Sequence, residues 1–523
     1  MNNTQKTHNK QHAVVIGASM AGLLAARALS NHFEQVTIIE RDQLSEQVEP
    51  RKGVPQGQHV HLLLAKGQSI VQEYFPNFYT QFAQDGAVPA TTAEIDWFDS
   101  GHWKTRSPEP IASYSASRPF LETYVRRFLA EKANVRFIDG CEVSKLRAKE
   151  DHTRVTGVTL LHHSPERYEE DMDADLVVDA GGRGSRAPQW LTALGYERVE
   201  EASVKIDVGY ATRIYRFPRN LSFNWKMLLI YPKAPDETRG GLVLPIEGDR
   251  WMVTLTGRLR DYPPADEVAF LEYARSLPNP AIYELLQEAE PVSPIMTYKY
   301  AASRWRHYED MSRLPEGFVV LGDAVCSFNP VYGQGMSVAA MEAKLLDTML
   351  RKQFGARGFT RRFQKAAAEI ARVPWMLATS QDFLYPATEG KRPFGLGLLH
   401  WYMGRVNELT ASDPFIVQRF YEVLNLLKTP TSLFDPRILA AVLRKELASR
   451  LPRMKPFMLG SYPSSLFTSD IPVQGLVAAY RQAEKQRQLA SQEDVPAAEV
   501  MQVVEVPRIG EMERERELQG SRR

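Results

Sequence analysis

One local pattern limits the possible folds of this chain more than any other. A short apolar run, Ala13 to Gly17 (AVVIG), breaks at Gly17-Ala18-Ser19-Met20-Ala21-Gly22, passes into a small-residue helical pattern through Ala28, and is followed by a second apolar run, Val36 to Glu40 (VTIIE). Strand, glycine turn, helix and strand in such close succession read as a βαβ unit. Gly17 permits the tight turn, Gly22 lets helix and strand pack closely, and Ser19 stands where a further glycine would let backbone approach a pyrophosphate at the helix N-terminus. Glu40 closes the second strand at about the spacing, roughly twenty residues, at which a carboxylate meets the adenosine ribose hydroxyls. A carboxylate there repels a 2′-phosphate, so the expected nucleotide is FAD or NAD rather than NADP.

A second constraint lies some three hundred residues on. Gly317 to Asp323 (GFVVLGD) returns to a buried strand, and Gly322-Asp323-Ala324-Val325-Cys326-Ser327-Phe328-Asn329-Pro330-Val331-Tyr332-Gly333-Gln334-Gly335-Met336 leads into a helical pattern through Lys352. The first domain is therefore expected to be discontinuous. This segment resembles the GD motif and following helix of the class A flavoprotein monooxygenases, the family of para-hydroxybenzoate hydroxylase, squalene epoxidase and the bacterial polyether epoxidases. The resemblance implies that Asp323 holds a ribityl hydroxyl of FAD and that the helix start, Gly333 to Met336, faces the pyrimidine end of the flavin. Backbone N–H groups and the positive end of a helix suit that place, because they stabilise negative charge on reduced flavin.

Further segments extend the likeness. Ser117, Pro119 and the apolar spacing of Phe120, Leu121, Tyr124, Val125 and Phe128 signal a capped helix. Arg118 at its start resembles the family's arginine that contacts the cofactor pyrophosphate. Asp175 to Arg186 (DLVVDAGGRGSR) is similar to the family's strand and D-G-x-x-S-x-x-R turn, with Gly181 in place of the usual aspartate. That departure leaves open how NAD(P)H delivers electrons, directly or through a separate flavin reductase. The segment Gly53 to Leu62 (GVPQGQHVHL) most resembles the polyether epoxidase branch and brings His59 and His61 forward as candidates near the flavin. Cys326 reads as a small buried residue. The cofactor-binding set is thus Gly17, Ser19, Met20, Ala21, Gly22, Glu40, Arg41, Arg118, Gly322, Asp323, Gly333, Gly335 and Met336. No side chain is assigned a catalytic role, because the cofactor carries the difficult step, and no metal ligand is assigned.

Composition excludes other classes. Lysine plus arginine (64) nearly balance aspartate plus glutamate (63), so there is no basic field to draw the chain onto nucleic acid. The two cysteines, Cys141 and Cys326, form no CxxC pair, which argues against a redox dithiol and fits a cytoplasmic setting. Only one dinucleotide fingerprint is visible, against flavoproteins with two Rossmann domains, and the W-x-W-x-I-P hallmark of flavin-dependent halogenases is missing. No apolar stretch approaches the roughly eighteen residues that span a bilayer. The helical pattern Arg437 to Arg450 (RILAAVLRKELASR) is amphipathic and basic on one side; a core-facing helix is the favoured reading, with peripheral membrane contact as the alternative.

The expected fold is α/β with an α+β second domain. Residues 1–11 form a disordered lead and 12–200 the first part of a Rossmann-type FAD-binding domain. Residues 201–300 form an antiparallel substrate sheet, 301–370 the second part of the FAD domain, 371–485 a helical C-terminal region and 486–523 a flexible charged tail. Tyr210, Tyr215, Trp225, Tyr231 and Trp251 are candidates to line an apolar substrate pocket. The resemblance implies an FAD-dependent monooxygenase of secondary metabolism that activates dioxygen as a flavin C4a-hydroperoxide and transfers one oxygen atom to an apolar alkene or aromatic compound, as an epoxidase or a hydroxylase. The competing reading is an FAD-dependent reductase of isoprenoid double bonds.

Overall fold

The apolar runs of the βαβ unit are unbroken rather than alternating because both faces of their sheet are covered. In the computed structural model, which describes residues 11–163, 167–218 and 223–450, β1 (His12–Ile16) sends Ala13 and Val15 into one core and Val14 into another. The five-stranded parallel sheet runs in the order Phe318–Val320, Leu176–Asp179, β1, β2 (Gln35–Ile39), Val135–Ile138. The strand Phe318–Val320 therefore re-enters beside Leu176–Asp179 and carries the Gly322-Asp323 turn to the carboxyl edge where β1 also ends. Helix α1 (Met20–Leu29) packs on one face of this sheet together with the long helix Gly335–Gln353. A three-stranded antiparallel sheet, Cys141–Ala148, Val155–His162 and Tyr168–Asp173, flanks it.

The second large sheet has nine strands. Its middle is antiparallel, Met296–Arg306, Glu201–Arg216, Arg250–Gly257, Arg239–Ile246 and Met227–Tyr231. Toward one edge Ile95–Asp99, arriving from the first half of the chain, pairs parallel to Met227–Tyr231, and His102–Trp103 pairs outside it. At the other edge the two residues Cys326–Ser327, directly after the Gly322-Asp323 turn, pair with Arg304 and Trp305. The cofactor-type domain and the sheet are thus joined by hydrogen bonds at the turn itself.

Helices follow to the end of the described chain: Phe359–Asp382, Leu396–Leu409, Pro414–Leu424 and Pro436–Arg450. Asp413 caps the third, accepting from the amides of Phe415 (2.9 Å) and Ile416 (3.2 Å). The last buries Ile438 and Val442 and leaves Leu439, Leu443 and Leu447 exposed. No helix among the described residues is long and apolar enough to cross a membrane. The lead, apart from Gln11, residues 451–485 of the helical region and the charged tail lie outside the described residues.

Candidate active site

The turn after β1 is built by its glycines. Gly17 has φ +98°, and a Cβ there would lie 2.8 Å from the Ala180 carbonyl oxygen; a Cβ on Gly22 would lie 1.8 Å from the Gly17 carbonyl oxygen. Ser19 occupies the cap position of α1, yet its hydroxyl makes no capping hydrogen bond. The first amides of the helix are thus left without a side-chain acceptor. The Ser19 hydroxyl instead donates to Glu122 (3.0 Å) and accepts from Arg118 Nη2 (2.8 Å). Arg118 and Glu122 sit one turn apart on the helix Arg118–Ala130, whose start is fixed by Ser117 Oγ accepting from the Phe120 amide.

Glu40, at the end of β2, accepts from the amides of Ala18 (2.7 Å) and Asp42 (3.0 Å) and lies 3.2 Å from Arg51. These bonds hold its carboxylate over the glycine turn. Gly322 adopts φ +66°, packs against the Ala21 methyl, and donates its amide to Glu342 (2.6 Å). Glu342 is fully buried on the Gly335 helix, and burial pushes its carboxyl up to about 8, so it is protonated at neutral pH. Burial likewise pushes the Asp323 carboxyl up, with Arg183 and Arg118 opposing.

These elements converge on one cavity of about 500 Å³. Its lining includes Gly17, Ser19, Met20, Ala21, Glu40, Arg41, Arg118, Asp323, Gly333, Gly335 and Met336. Of the residues expected to bind cofactor, Gly22 and Gly322 alone are outside the lining, and both act through backbone packing. The lining also includes Val60, His61 and Leu62 of the loop after β2, Phe328, Asn329, Pro330 and Gln334 of the loop before the Gly335 helix, and Tyr298 of the large sheet. The arrangement fits FAD. The cavity lining brings together a glycine turn with its helix start, the Asp323 carboxylate and a second helix start. Arg118 Nε and Gln334 Oε1 are buried polar atoms without partners, and both residues border the cavity.

His61 Nδ1 donates to the His59 carbonyl (3.0 Å), leaving the lone pair on Nε2, and burial with the nearby Arg118 pulls its pKa down to about 3. His59 is buried against Tyr210 and Tyr298, bonds Thr212 (2.7 Å), and is pulled down by burial to about 4. Both imidazoles are neutral at pH 7; His61 borders the cavity, whereas His59 stands behind it.

The aromatic candidates on the sheet are placed differently from expectation: Tyr210, Tyr215, Trp225, Tyr231 and Trp251 are all absent from the cavity lining, and Tyr298 supplies the sheet's aromatic contact. Tyr215 lies in the sheet's own core, and Trp225 and Trp251 cluster with Phe217 and Phe223. Tyr210 and Tyr231 support the loop before the Gly335 helix from behind, donating to Asn329 Oδ1 (3.2 Å) and the Val331 carbonyl (3.1 Å). Periodicity marks which face of a strand is apolar but not which part of that face meets a cavity. Sequence reasoning missed Arg51, Glu122, Glu342 and Asp382. The i, i+4 spacing from Arg118 to Glu122 on a capped helix was a readable signal; Arg51 carries none. Cys141 and Cys326 are free and buried, and burial pushes both thiols up.

The FAD binding domain family matches residues 10–380 of the chain. Protein Rv3254 of Mycobacterium tuberculosis is 32% identical over 469 residues, covering 86% of this chain and 97% of that protein. Among solved structures, the flavin-dependent brominase Bmp2 superposes with a TM-score of 0.59 at 13% identity, covering 84% of this chain and all of the brominase. A flavoprotein/dehydrogenase from Cytophaga hutchinsonii gives 0.59 at 14%, covering 84% and 99%. PqsL of Pseudomonas aeruginosa, described as a probable FAD-dependent monooxygenase, gives 0.50 at 15%, covering 72% and 98%. At these identities the solved structures establish the fold.

Proposed function

We propose that this chain, which belongs to the FAD binding domain family and is an FAD-dependent oxidoreductase, is a monooxygenase that inserts one oxygen atom from dioxygen into an apolar alkene or aromatic substrate. The observation that carries this reading is the continuity of a single cavity from the glycine turn of β1 to the start of the Gly335 helix, where Tyr298, Phe328 and Pro330 border it. Bound FAD would supply the electron transfer and the activation of dioxygen. Gly17, Ser19, Met20, Ala21, Glu40, Arg41 and Arg118 would hold its adenosine and diphosphate, Asp323 its ribityl chain, and Gly333, Gly335 and Met336 the pyrimidine end of the ring.

The protein's own contribution is to bind, orient and keep dry. The positive end of the Gly335 helix would favour negative charge on a flavin ring bound there, without a mobile counter-ion. Protonated Glu342 fixes the Gly322 turn while adding no negative charge beside Asp323. Neutral His61 offers an acceptor and no proton at physiological pH. Electrons come from NAD(P)H, directly or through a partner reductase, with Gly181 at the position where relatives in the resembled family carry an aspartate.

The test is reduction of the FAD-loaded protein without oxygen, followed by isotopically labelled dioxygen and candidate alkenes or phenols. Labelled oxygen in an epoxide or phenol product supports the proposal. A saturated product without label overturns it in favour of double-bond reduction.

A further inference from the structure

Arg51, on the loop after β2 and outside every motif, stands behind the nucleotide half of the cavity rather than in its lining, and reaches it through Glu122 and Glu40. Its Nε and Nη2 hold one oxygen of Glu122 (2.9 Å from Nε), Nη2 also donates to the Ala18 carbonyl (3.2 Å), and Nη1 lies 3.2 Å from Glu40 and 3.5 Å from Asp42. The other oxygen of Glu122 accepts from Ser19 Oγ (3.0 Å) and Arg118 Nη2 (3.0 Å). A carboxylate of this chain, only 5% exposed, therefore engages Ser19 and Arg118, two of the side chains that the site offers a diphosphate. Three carboxylates, Glu40, Asp42 and Glu122, stand among Arg51 and Arg118, with Arg41 and Arg126 nearby, so a diphosphate enters a cluster in which buried negative charge already holds its donors. Two atoms here lack hydrogen-bond partners although buried, Arg118 Nε and Arg51 Nη1.

We propose that Glu122 is a built-in competitor of the FAD diphosphate for Ser19 and Arg118, and that Arg51 is its retaining partner. When Arg118 turns to a diphosphate, Glu122 keeps Arg51 and is not left as an unpaired buried charge, which would be strongly destabilising. The carboxylate thereby sets the affinity for FAD below what the same donors would reach beside a neutral group. The inference rests on FAD binding alone and is independent of which substrate is oxidised.

The test is titration of the flavin-free protein with FAD, ADP and adenosine, comparing wild type with Glu122→Gln. Removing one negative charge a few ångströms from a diphosphate tightens FAD and ADP by about tenfold or more and leaves adenosine unchanged. Unchanged or weaker FAD and ADP binding overturns the proposal, as does an equal gain for adenosine, which would mark general loosening of the cleft. Glu122→Met, also neutral, carries the same expectation if the glutamine variant does not fold. Failure of wild type and variants alike to bind any of the three ligands would instead overturn the FAD assignment.

Discussion

Replacing Glu342 by glutamine tests the electrostatics of the Gly322-Asp323 turn directly. The carboxyl is fully buried, accepts the Gly322 amide at 2.6 Å, leaves its other oxygen without a partner, and has its pKa raised from 4.5 to about 8, chiefly by burial. Because the folded-state value is the higher one, the folded protein keeps a proton that the unfolded chain releases. The group's contribution to stability is complete below pH 4.5 and is lost progressively as pH rises to about 8. The shift corresponds to about 5 kcal/mol over the whole window. Glutamine keeps the carbonyl oxygen for Gly322 and cannot ionise. Its stability advantage over wild type should therefore grow by about 4 kcal/mol between pH 5 and pH 9, read from urea unfolding at matched free FAD. A difference that stays flat across that range would refute the reasoning, because it would mean that Glu342 does not retain its proton.

Asp323→Ala removes a charge-assisted acceptor and should weaken FAD binding roughly 10- to 100-fold, measured by flavin fluorescence quenching; retention of wild-type affinity would show that the ribityl chain is held elsewhere. Gly22→Ala places a methyl 1.8 Å from the Gly17 carbonyl oxygen, so it should cost about 3 kcal/mol or more in denaturant unfolding and abolish FAD retention. With its pKa pulled down to about 3 by burial and by Arg118, the His61 ring should show no titration in nuclear magnetic resonance spectra between pH 8 and pH 5; a midpoint near the ordinary histidine value would place it in solvent.

The parts of this fold legible in the sequence are those whose physics is local. The βαβ opening was readable because strand, turn and helix signals fall next to one another, and β1, α1 and β2 form within a residue or two of the expected bounds. Ser117 and Pro119 announced the helix that begins at Arg118 for the same reason. The edges of the large sheet were not readable. Ile95–Asp99 joins it by pairing with Met227–Tyr231, a partner more than a hundred residues away, and nothing in either strand's own pattern names the other. The buried charges divide along the same line: Glu122 follows from helical spacing, whereas Arg51 meets Glu40, Asp42 and Glu122 only because a loop folds back across the cleft.

The loop before the Gly335 helix shows why aromatic content alone did not locate a substrate pocket. Asn329 accepts from Tyr210 of the sheet and donates to Asp382 (2.9 Å), at the end of the helix Phe359–Asp382; Tyr332 donates to the same carboxylate (3.1 Å). Asp382 is buried opposite Arg258 and pushed up to about 6, chiefly by burial. Sheet, loop and C-terminal helix are thus tied behind the wall of the cavity, on residues that a search for pocket-lining aromatics would select. A polar network of this kind holds the helix start in one position, as a preorganised site for developing negative charge requires. The few side chains in front of that wall, Tyr298, Phe328, Pro330 and His61, are the ones that border the cavity. Tyr210 and Tyr231 reach the cavity only through the loop they support.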